Sequence, residues 1–214
     1  MKVINAGYEI LTPISDDGIE ELKRIEKIGR VCYKSEDKIT DDGESAKKFV
    51  DMLINNHHEA MLEHGSISVL FTVDRGVTHE MVRHRLASFA QESTRYANYS
   101  KDKFGNEITV IKPCFWEEGS EEYQEWYKAC EFAEKSYMKL LNTEGVIAQQ
   151  ARSVLPTSTK ADITITANYR EWRHILNLRA CDATGPAHPQ IKEVMVPLLK
   201  DLQSRLPIIF DDLK

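Results

Sequence analysis

The longest periodic segment of the sequence follows Gly119 and constrains the fold more than any other feature. Apolar side chains recur there three and four residues apart, which is the spacing of one face of an α-helix. Glutamates begin the segment and lysines follow, an order that the helix dipole favours. The segment predicts a long helix with one side packed on a core. That side comprises Tyr123, Trp126, Tyr127, Cys130, Ala133, Tyr137, Leu140 and Leu141.

The remaining periodic segments predict an α+β fold. Helices outnumber strands and do not alternate with them regularly, which argues against a doubly wound sheet. Since no linker or internal repeat interrupts the chain, we expect a single domain over residues 1–214, with a central, mostly antiparallel sheet flanked by long helices. Strands are expected at 3–11, 66–73, 107–111 and 162–168. Helices are expected at 19–28, 44–54, 74–84, 145–154 and 169–178, and from 189 onward.

The charge balance narrows the possible partners. The chain has 28 Lys and Arg against 34 Asp and Glu, which gives a net charge of −6. Binding to a nucleic-acid polymer or an anionic membrane depends on a basic surface, so we expect neither. No stretch approaches the roughly 20 apolar residues that a membrane-spanning helix needs. An anionic ligand would therefore require a local cluster of cations.

The four cysteines, at positions 32, 114, 130 and 181, are far apart and form no C-x-x-C pair. We expect them to be mostly reduced core thiols of a cytoplasmic protein. We also expect no signal peptide, because the first residues begin a strand and lack a small-residue cleavage site.

The histidines and the common catalytic motifs give no further site. A zinc helix that starts at His58-Glu59 needs its second histidine at position 62, which is Leu62. We therefore expect no metal. The sequence also lacks a G-x-S-x-G elbow, a G-x-G-x-x-G turn and a P-loop, so it predicts neither an activated nucleophile nor a familiar nucleotide fold.

Residues 83–96 concentrate cations and hydroxyls in this acidic chain. Arg83, His84, Arg85 and Arg95 lie there with two serines and a threonine, against the single acid Glu92. Arginine offers forked donors that suit phosphate, and hydroxyls can complete such a site. The alternative is a solvated helix end, where the arginines only interact favourably with the negative end of the helix dipole.

Three later arginines favour a site for a polyanionic small molecule. Arg152 lies just before the end of a predicted helix, and Arg170 and Arg179 lie in the helix after the last predicted strand. Three functions remain open from the residues alone. One is an enzyme that acts on a phosphorylated small molecule, and another is a non-enzymatic module that binds a nucleotide phosphate. The third is a metal-dependent hydrolase, which metal analysis would decide.

The arginine segment resembles a known signature. Arg83-His84-Arg85, seven further residues and Ser93 reproduce the R-H-R-x7-S pattern of the flavin-dependent (alternative) thymidylate synthases. Residues 58–64 are similar to the H-E-x-x-x-E-H stretch of that family, and residues 151–156 to its A-R-x-x-L-P. Residues 168–179 contain its N-x-R and L-N-L-R. The motifs occur in the family's order along most of the chain.

The resemblance implies a reductive methylation of dUMP to dTMP, a step of nucleotide biosynthesis. Methylenetetrahydrofolate would give the carbon, and FAD, reduced by NADPH, would give the hydride. Members of this family are homotetramers whose sites form where subunits meet, and we expect the same assembly, in the cytoplasm, for this chain.

The resemblance also assigns site residues. Cofactor contacts would come from Glu63, Arg83, His84, Arg85, Gln91, Asn168, Arg170, His174 and His188. The nucleotide site would be lined by Glu80, Arg83, Gln91, Ser93, Thr94, Arg95, Arg152 and Arg179.

Elementary chemistry agrees with these roles. The substrate phosphate is a dianion, so Arg95 and Arg152 suit it as clamps, with Ser93 as a hydroxyl partner. Carbon 5 of uracil becomes nucleophilic only as negative charge develops on the ring. We expect Arg179 to be the catalytic residue, because a permanent positive charge beside the pyrimidine would stabilise that charge. No enzyme nucleophile is then needed.

Overall fold

The structure is a computed structural model that describes residues 1–214, apart from the side chain of Asp16. In that described part of the chain, the strands are β1 (Lys2–Ile4), β2 (Gly7–Ile10), β3 (Ser66–Asp74), β4 (Ala87–Gln91), β5 (Thr109–Ile111) and β6 (Lys160–Asn168). The helices are α1 (Ile19–Tyr33), α2 (Glu44–Asn55), α3 (Arg75–Met81), α4 (Glu121–Leu141), α5 (Ala148–Ala151), α6 (Tyr169–Arg179) and α7 (Pro189–Arg205).

The predicted α+β class is confirmed. Four strands form an antiparallel sheet in the order β2-β3-β6-β4, and helices flank it. Buried and less buried residues alternate along β3 and β6, as expected of strands with one face on a core. The sequence predicts both strands because apolar side chains occupy every second position in each.

The single strand predicted for residues 3–11 is wrong. The chain forms two strands there, and they join different sheets. β1 pairs with β5 in parallel, with Ile4 opposite Ile111, whereas β2 belongs to the four-stranded sheet. Alternating apolar residues indicate a strand but do not reveal its partner, so a change of partner at residues 5–6 leaves no signal in the pattern.

Three other segments differ from the prediction. α3 ends at Met81 rather than near residue 84. Residues 87–91, for which no strand is predicted, form the edge strand β4. The helix predicted for 145–154 is reduced to α5 and a short 3₁₀ helix, Arg152–Val154.

Contacts divide the chain into two compact units. The first unit consists of Met1–Tyr8, Leu70–Arg83 and Phe89–Thr164, and the second of Glu9–Val69, His84–Ser88 and Ile165–Lys214.

In the first unit, α4 supplies the core as predicted. Its N-cap is Ser120, whose hydroxyl accepts a hydrogen bond from the Tyr123 amide at 3.2 Å. Cys130 and Tyr137 are buried together with Ile108 and Val110. The other apolar residues of the predicted stripe are only half-buried, apart from Tyr123.

In the second unit, α1 and α2 pack against each other, and α6 contacts α7. The first helix is predicted to end at residue 28, but α1 continues through Gly29 to Tyr33 and is capped by Lys34 in a left-handed conformation. Gly29 is needed for packing instead. A Cβ at this position would lie 2.5 Å from the ring of Phe49, a residue of α2.

The cysteines match their predicted burial only in part. All four are free, but Cys130 is the one that is buried, and Cys32 and Cys114 are exposed. No helix in the described part of the chain is both long enough and apolar enough to cross a bilayer.

We predict that Gly65→Ala lowers the free energy of unfolding by about 1–3 kcal/mol, the usual cost of overpacking. Gly65 has an extended backbone, so the cost is steric: an added Cβ would overlap the buried ring of Tyr169. Urea unfolding measures the change. Gly7→Ala is the matched control, because a Cβ at Gly7 meets nothing within 4 Å. Equal stability of the two variants would contradict this packing.

Candidate active site

The arginine signature lies in the turn that follows α3. The carboxylate of Asp74 begins this helix by accepting a hydrogen bond from the Val77 amide at 2.8 Å, as the sequence predicts. After the helix ends, Arg83 and Arg85 are exposed, whereas His84 between them is buried. Neither of these two arginines forms an ion pair with a described side chain, so both guanidinium groups can receive an anion.

The predicted nucleotide residues lie in the first unit, apart from Arg179. Ser93 begins a turn, in which its side-chain oxygen accepts from the Arg95 amide at 3.3 Å and its carbonyl accepts from the Ala97 amide at 2.9 Å. The hydroxyl of the buried Thr94 accepts a hydrogen bond from Arg152 Nη1 at 3.4 Å. The structure therefore brings Ser93, Thr94, Arg95 and Arg152 together.

Other members of the predicted nucleotide set lie on α3 and β4. Gln91, at the end of β4, donates from Nε2 to the hydroxyl of Thr78 in α3 at 2.9 Å. Glu80 belongs to α3, and Arg83 to the turn beyond it. The hydrogen bond fixes the Gln91 amide with its oxygen left as an acceptor.

The predicted cofactor residues lie in the second unit, apart from Arg83 and Gln91. A cavity of about 690 Å³ opens there, within the range of small-molecule sites. Four of the predicted residues line it: Glu63, Asn168, Arg170 and His174.

α6 positions three of these four side chains. Asn168 is its N-cap and accepts a hydrogen bond from the Glu171 amide at 2.8 Å. Arg170, in the first turn of the helix and half exposed, donates from Nη1 to Glu63 at 2.6 Å and lies 3.6 Å from Glu59. Glu59 and Glu63 belong to a 3₁₀ helix, Glu59–His64, that packs against α6.

The predicted catalytic residue, Arg179, is held by His84. Arg179 Nε donates to His84 Nε2 at 3.2 Å, which requires that this ring nitrogen carry no proton. Burial, together with the neighbouring charges of Arg179 and His174, lowers the pKa of His84 from 6.5 to about 4. The proton of the neutral ring then lies on Nδ1, which faces Glu171 at 4.0 Å. Burial raises the pKa of that carboxyl.

His188 is placed differently from the other predicted cofactor residues. It is exposed at the N-cap of α7, where Nδ1 accepts a hydrogen bond from the Gln190 amide at 3.3 Å. It does not belong to the lining of the 690 Å³ cavity. Its proposed contact with a cofactor stays a prediction.

Six cavity residues were not predicted: Glu59, Leu86, Glu171, Arg173, Asn177 and Leu213. The sequence pattern could have identified Arg173 as a residue with a structural role. It lies on the same helical face as Tyr169, Trp172 and Leu176, which are all buried, and a cation among core positions requires a buried partner. No such pattern marks Leu213, because its position depends on how the segment after α7 returns to the unit.

No group of three or more His, Cys, Asp or Glu side chains in the described part of the chain could hold a metal ion. The arrangement offers two kinds of recognition instead. The turn at 93–95 with Arg152 suits a phosphate, and the cavity beside α6 combines amide, imidazole and guanidinium groups with two leucines.

The chain is similar to several known proteins. Residues 17–208 match the family model described as thymidylate synthase complementing protein. The flavin-dependent thymidylate synthase of Corynebacterium aurimucosum is 31% identical over 213 residues, covering 92% of this chain and 82% of that protein. The enzyme of the same name from Mycolicibacterium vanbaalenii is 31% identical over 215 residues, covering 94% and 82%.

A solved structure shares the fold. The UMP/dUMP methylase PolB of Streptomyces cacaoi, in its crystal with 5-Br dUMP, superimposes with a TM-score of 0.77 at 24% identity, covering 99% of this chain and 96% of that one. The similarity to these sequence relatives shows that the chain is a methyltransferase enzyme. The chain belongs to the family of flavin-dependent thymidylate synthases.

We predict that His84 titrates at about pH 4 in the folded protein, which histidine NMR resonances measure directly. Because this pKa lies below the unfolded value of 6.5, the unfolded chain takes up the proton first. Stability from the neutral ring is therefore complete above pH 6.5 and is lost as the pH falls towards 4. His84→Gln assigns the resonance and should remove this part of the pH dependence. A His84 midpoint near the ordinary value of about 6.5 would contradict the buried pairing with Arg179.

Proposed function

We propose that this chain converts dUMP to dTMP by reductive methylation, with methylenetetrahydrofolate as carbon donor and FAD, reduced by NADPH, as hydride source. The observation that carries the proposal is the family match over residues 17–208. The names of the curated relatives and of the dUMP methylase with the same fold support it.

The residues of the 690 Å³ cavity fit a flavin. Leu86 and Leu213 offer apolar edges to a ring system, and Asn168 and His174 offer hydrogen bonds to ring nitrogens and carbonyls. Arg170 is half exposed and can turn towards a phosphate. We propose that these residues hold FAD together with Glu63, Arg83, His84, Arg85, Gln91 and His188. When bound, FAD supplies the hydride of the reaction.

The nucleotide phosphate is assigned to the turn at 93–95. Arg152 and Arg95 offer guanidinium donors, and the hydroxyls of Ser93 and Thr94 lie in the same turn. Charge-assisted hydrogen bonds of this kind are about twice as strong as neutral ones. A local cluster of such donors is what a dianion requires on a chain whose net charge is −6. We propose Glu80, Arg83 and Gln91 as further nucleotide contacts.

Arg179 is proposed as the catalytic residue. Its charge is permanent, and its Nε–H is already directed by the lone pair of His84. A guanidinium fixed beside the pyrimidine stabilises negative charge that develops during attack by carbon 5, and it needs no reorganisation at that moment. The cysteines are not required. Burial raises the pKa of Cys130, which keeps this thiol protonated and unreactive.

The assembly and location are proposed from the resemblance. We propose a homotetramer in the cytoplasm whose sites are completed where subunits meet. We also propose that residues 1–214 act as one domain, which the unbroken family match over residues 17–208 supports.

We predict that the purified protein contains or takes up FAD, that NADPH bleaches its flavin absorption, and that the protein forms dTMP from dUMP only when methylenetetrahydrofolate is present. Absorption spectra and chromatography of the products measure the three effects. A colourless protein that binds dUMP but never takes up flavin would contradict the proposal. That result would favour the nucleotide-binding module.

We predict that Arg179→Ala lowers kcat for dTMP formation by about 100- to 1000-fold, the usual loss when one charge-stabilising donor is removed. Circular dichroism should show an unchanged fold, because Arg179 is only half-buried. Arg205→Ala is the control, since it removes an exposed arginine whose described partner is Asp201, one turn away on α7. Turnover of Arg179→Ala at the control's rate would refute the electrostatic role.

A further inference from the structure

The segment that follows α7 returns to the cavity of the second unit. Its residue Leu213 is buried and lines the cavity next to Glu59, Arg170 and Arg173. No sequence motif marks this segment, and the resemblance assigns no role to it. Its position is nevertheless fixed by polar contacts from two helices.

Arg173 supplies the first set of contacts. Its guanidinium is buried and forms a two-pronged ion pair with Asp212, at 2.6 Å and 2.7 Å. The same group donates to the carbonyl oxygen of Ile209 and, from Nε, to Glu59 at 3.3 Å. Arg173 therefore joins the 209–213 segment to the 3₁₀ helix that carries Glu63.

The carboxylate of Asp212 is well suited to this pair. Hydrogen bonds from Arg173 lower the pKa of Asp212, so the group stays ionised through the neutral range. Two parallel N–H···O bonds also fix direction, which a single contact does not. Breaking such a pair leaves a buried guanidinium with part of its donors unsatisfied.

Gln203 supplies the second set of contacts from α7. Its amide nitrogen lies 3.1 Å from the carbonyl oxygen of Phe210 and 3.1 Å from that of Leu213. Arg173 and Gln203 therefore each hold the short segment near both of its ends, Arg173 through Ile209 and Asp212 and Gln203 through Phe210 and Leu213. Leu213 cannot leave the cavity wall while these contacts persist.

We propose that the 209–213 segment is a wall of the flavin cavity, that Leu213 is a further contact of the flavin, and that Asp212 and Gln203 are positioning residues that hold this wall. The inference rests on the proposed function, because it takes the cavity to be the flavin site. It goes beyond that function because it states that residues outside all the recognised sequence motifs contribute to the affinity for the cofactor.

Flavin affinity of the apoprotein tests the proposal without any measurement of turnover. FAD is titrated with Asp212→Asn and Asp211→Asn, and the quenching of flavin fluorescence gives the dissociation constants. The substitutions are isosteric and adjacent in sequence. Asp211 is the matched control because its carboxylate accepts from the Ile208 amide, a bond that an asparagine oxygen can also accept, and it does not pair with Arg173.

We predict that Asp212→Asn raises the FAD dissociation constant about tenfold, the value expected when one charge-assisted contact is lost. Asp211→Asn should leave it within about twofold of the wild type. Affinity for dUMP should not change in either variant, whereas a general loss of structure would weaken both ligands. Gln203→Ala should weaken FAD binding in the same direction as Asp212→Asn.

Leu213→Ala keeps the proposal testable if Asp212→Asn does not fold. It leaves the Arg173–Asp212 pair intact and should also weaken FAD binding. Equal FAD affinity of wild type and Leu213→Ala, or of Asp212→Asn and Asp211→Asn, would overturn the inference alone. A folded wild-type protein that binds no FAD would contradict the proposed function as well.

Discussion

The attachment of α6 to β3 is the interaction on which the cavity of the second unit depends. The indole of Trp172 is fully buried, and its N–H donates to the carbonyl oxygen of Ile67 at 2.9 Å. A buried aromatic ring of this size with its one donor satisfied fixes both the depth and the rotation of a helix. Because the rotation of α6 is fixed, the sides of the helix from which Arg170, Arg173 and Arg179 project are fixed as well.

The fixed orientation of α6 also places two of its charged side chains in the protein interior, where each needs compensation. Arg173 and Glu171 both lie below a tenth of full exposure. Arg173 is compensated by Asp212, Glu59 and a backbone carbonyl, whereas Glu171 has its pKa raised by burial. The unit thus keeps its buried cations ionised and its buried imidazole neutral. A neutral His84 is what allows Arg179 to be held without a competing charge.

The sequence predicts a large part of this structure because its strongest patterns are local. The long helix α4, the strands β3 and β6 and the capped start of α3 follow from spacing and from single capping residues. The grouping of residues 93–95 follows from their being adjacent in sequence. The position of Arg152 near them follows from the family resemblance, which assigns all of these residues to one site.

The failures have a common physical cause. The exchange of partners between β1 and β2, the packing of Gly29 on Phe49 and the return of Leu213 to the cavity depend on contacts distant in sequence. No strand is predicted for residues 87–91 because hydroxyls and charges surround them, yet β4 is an edge strand, where polar residues are tolerated. Arg173 could have been recognised as a cation on a core-facing helix position.

The central claim is that two recognition sites on this chain serve two different ligands, a flavin and a nucleotide phosphate. A crystal structure of the protein with FAD and dUMP tests it most directly. The account predicts flavin density in the cavity lined by Asn168, Arg170 and His174, and a dUMP phosphate within hydrogen-bond distance of Arg152 and the hydroxyl of Ser93. Flavin bound away from α6, or a phosphate that contacts neither Arg152 nor Ser93, would contradict it.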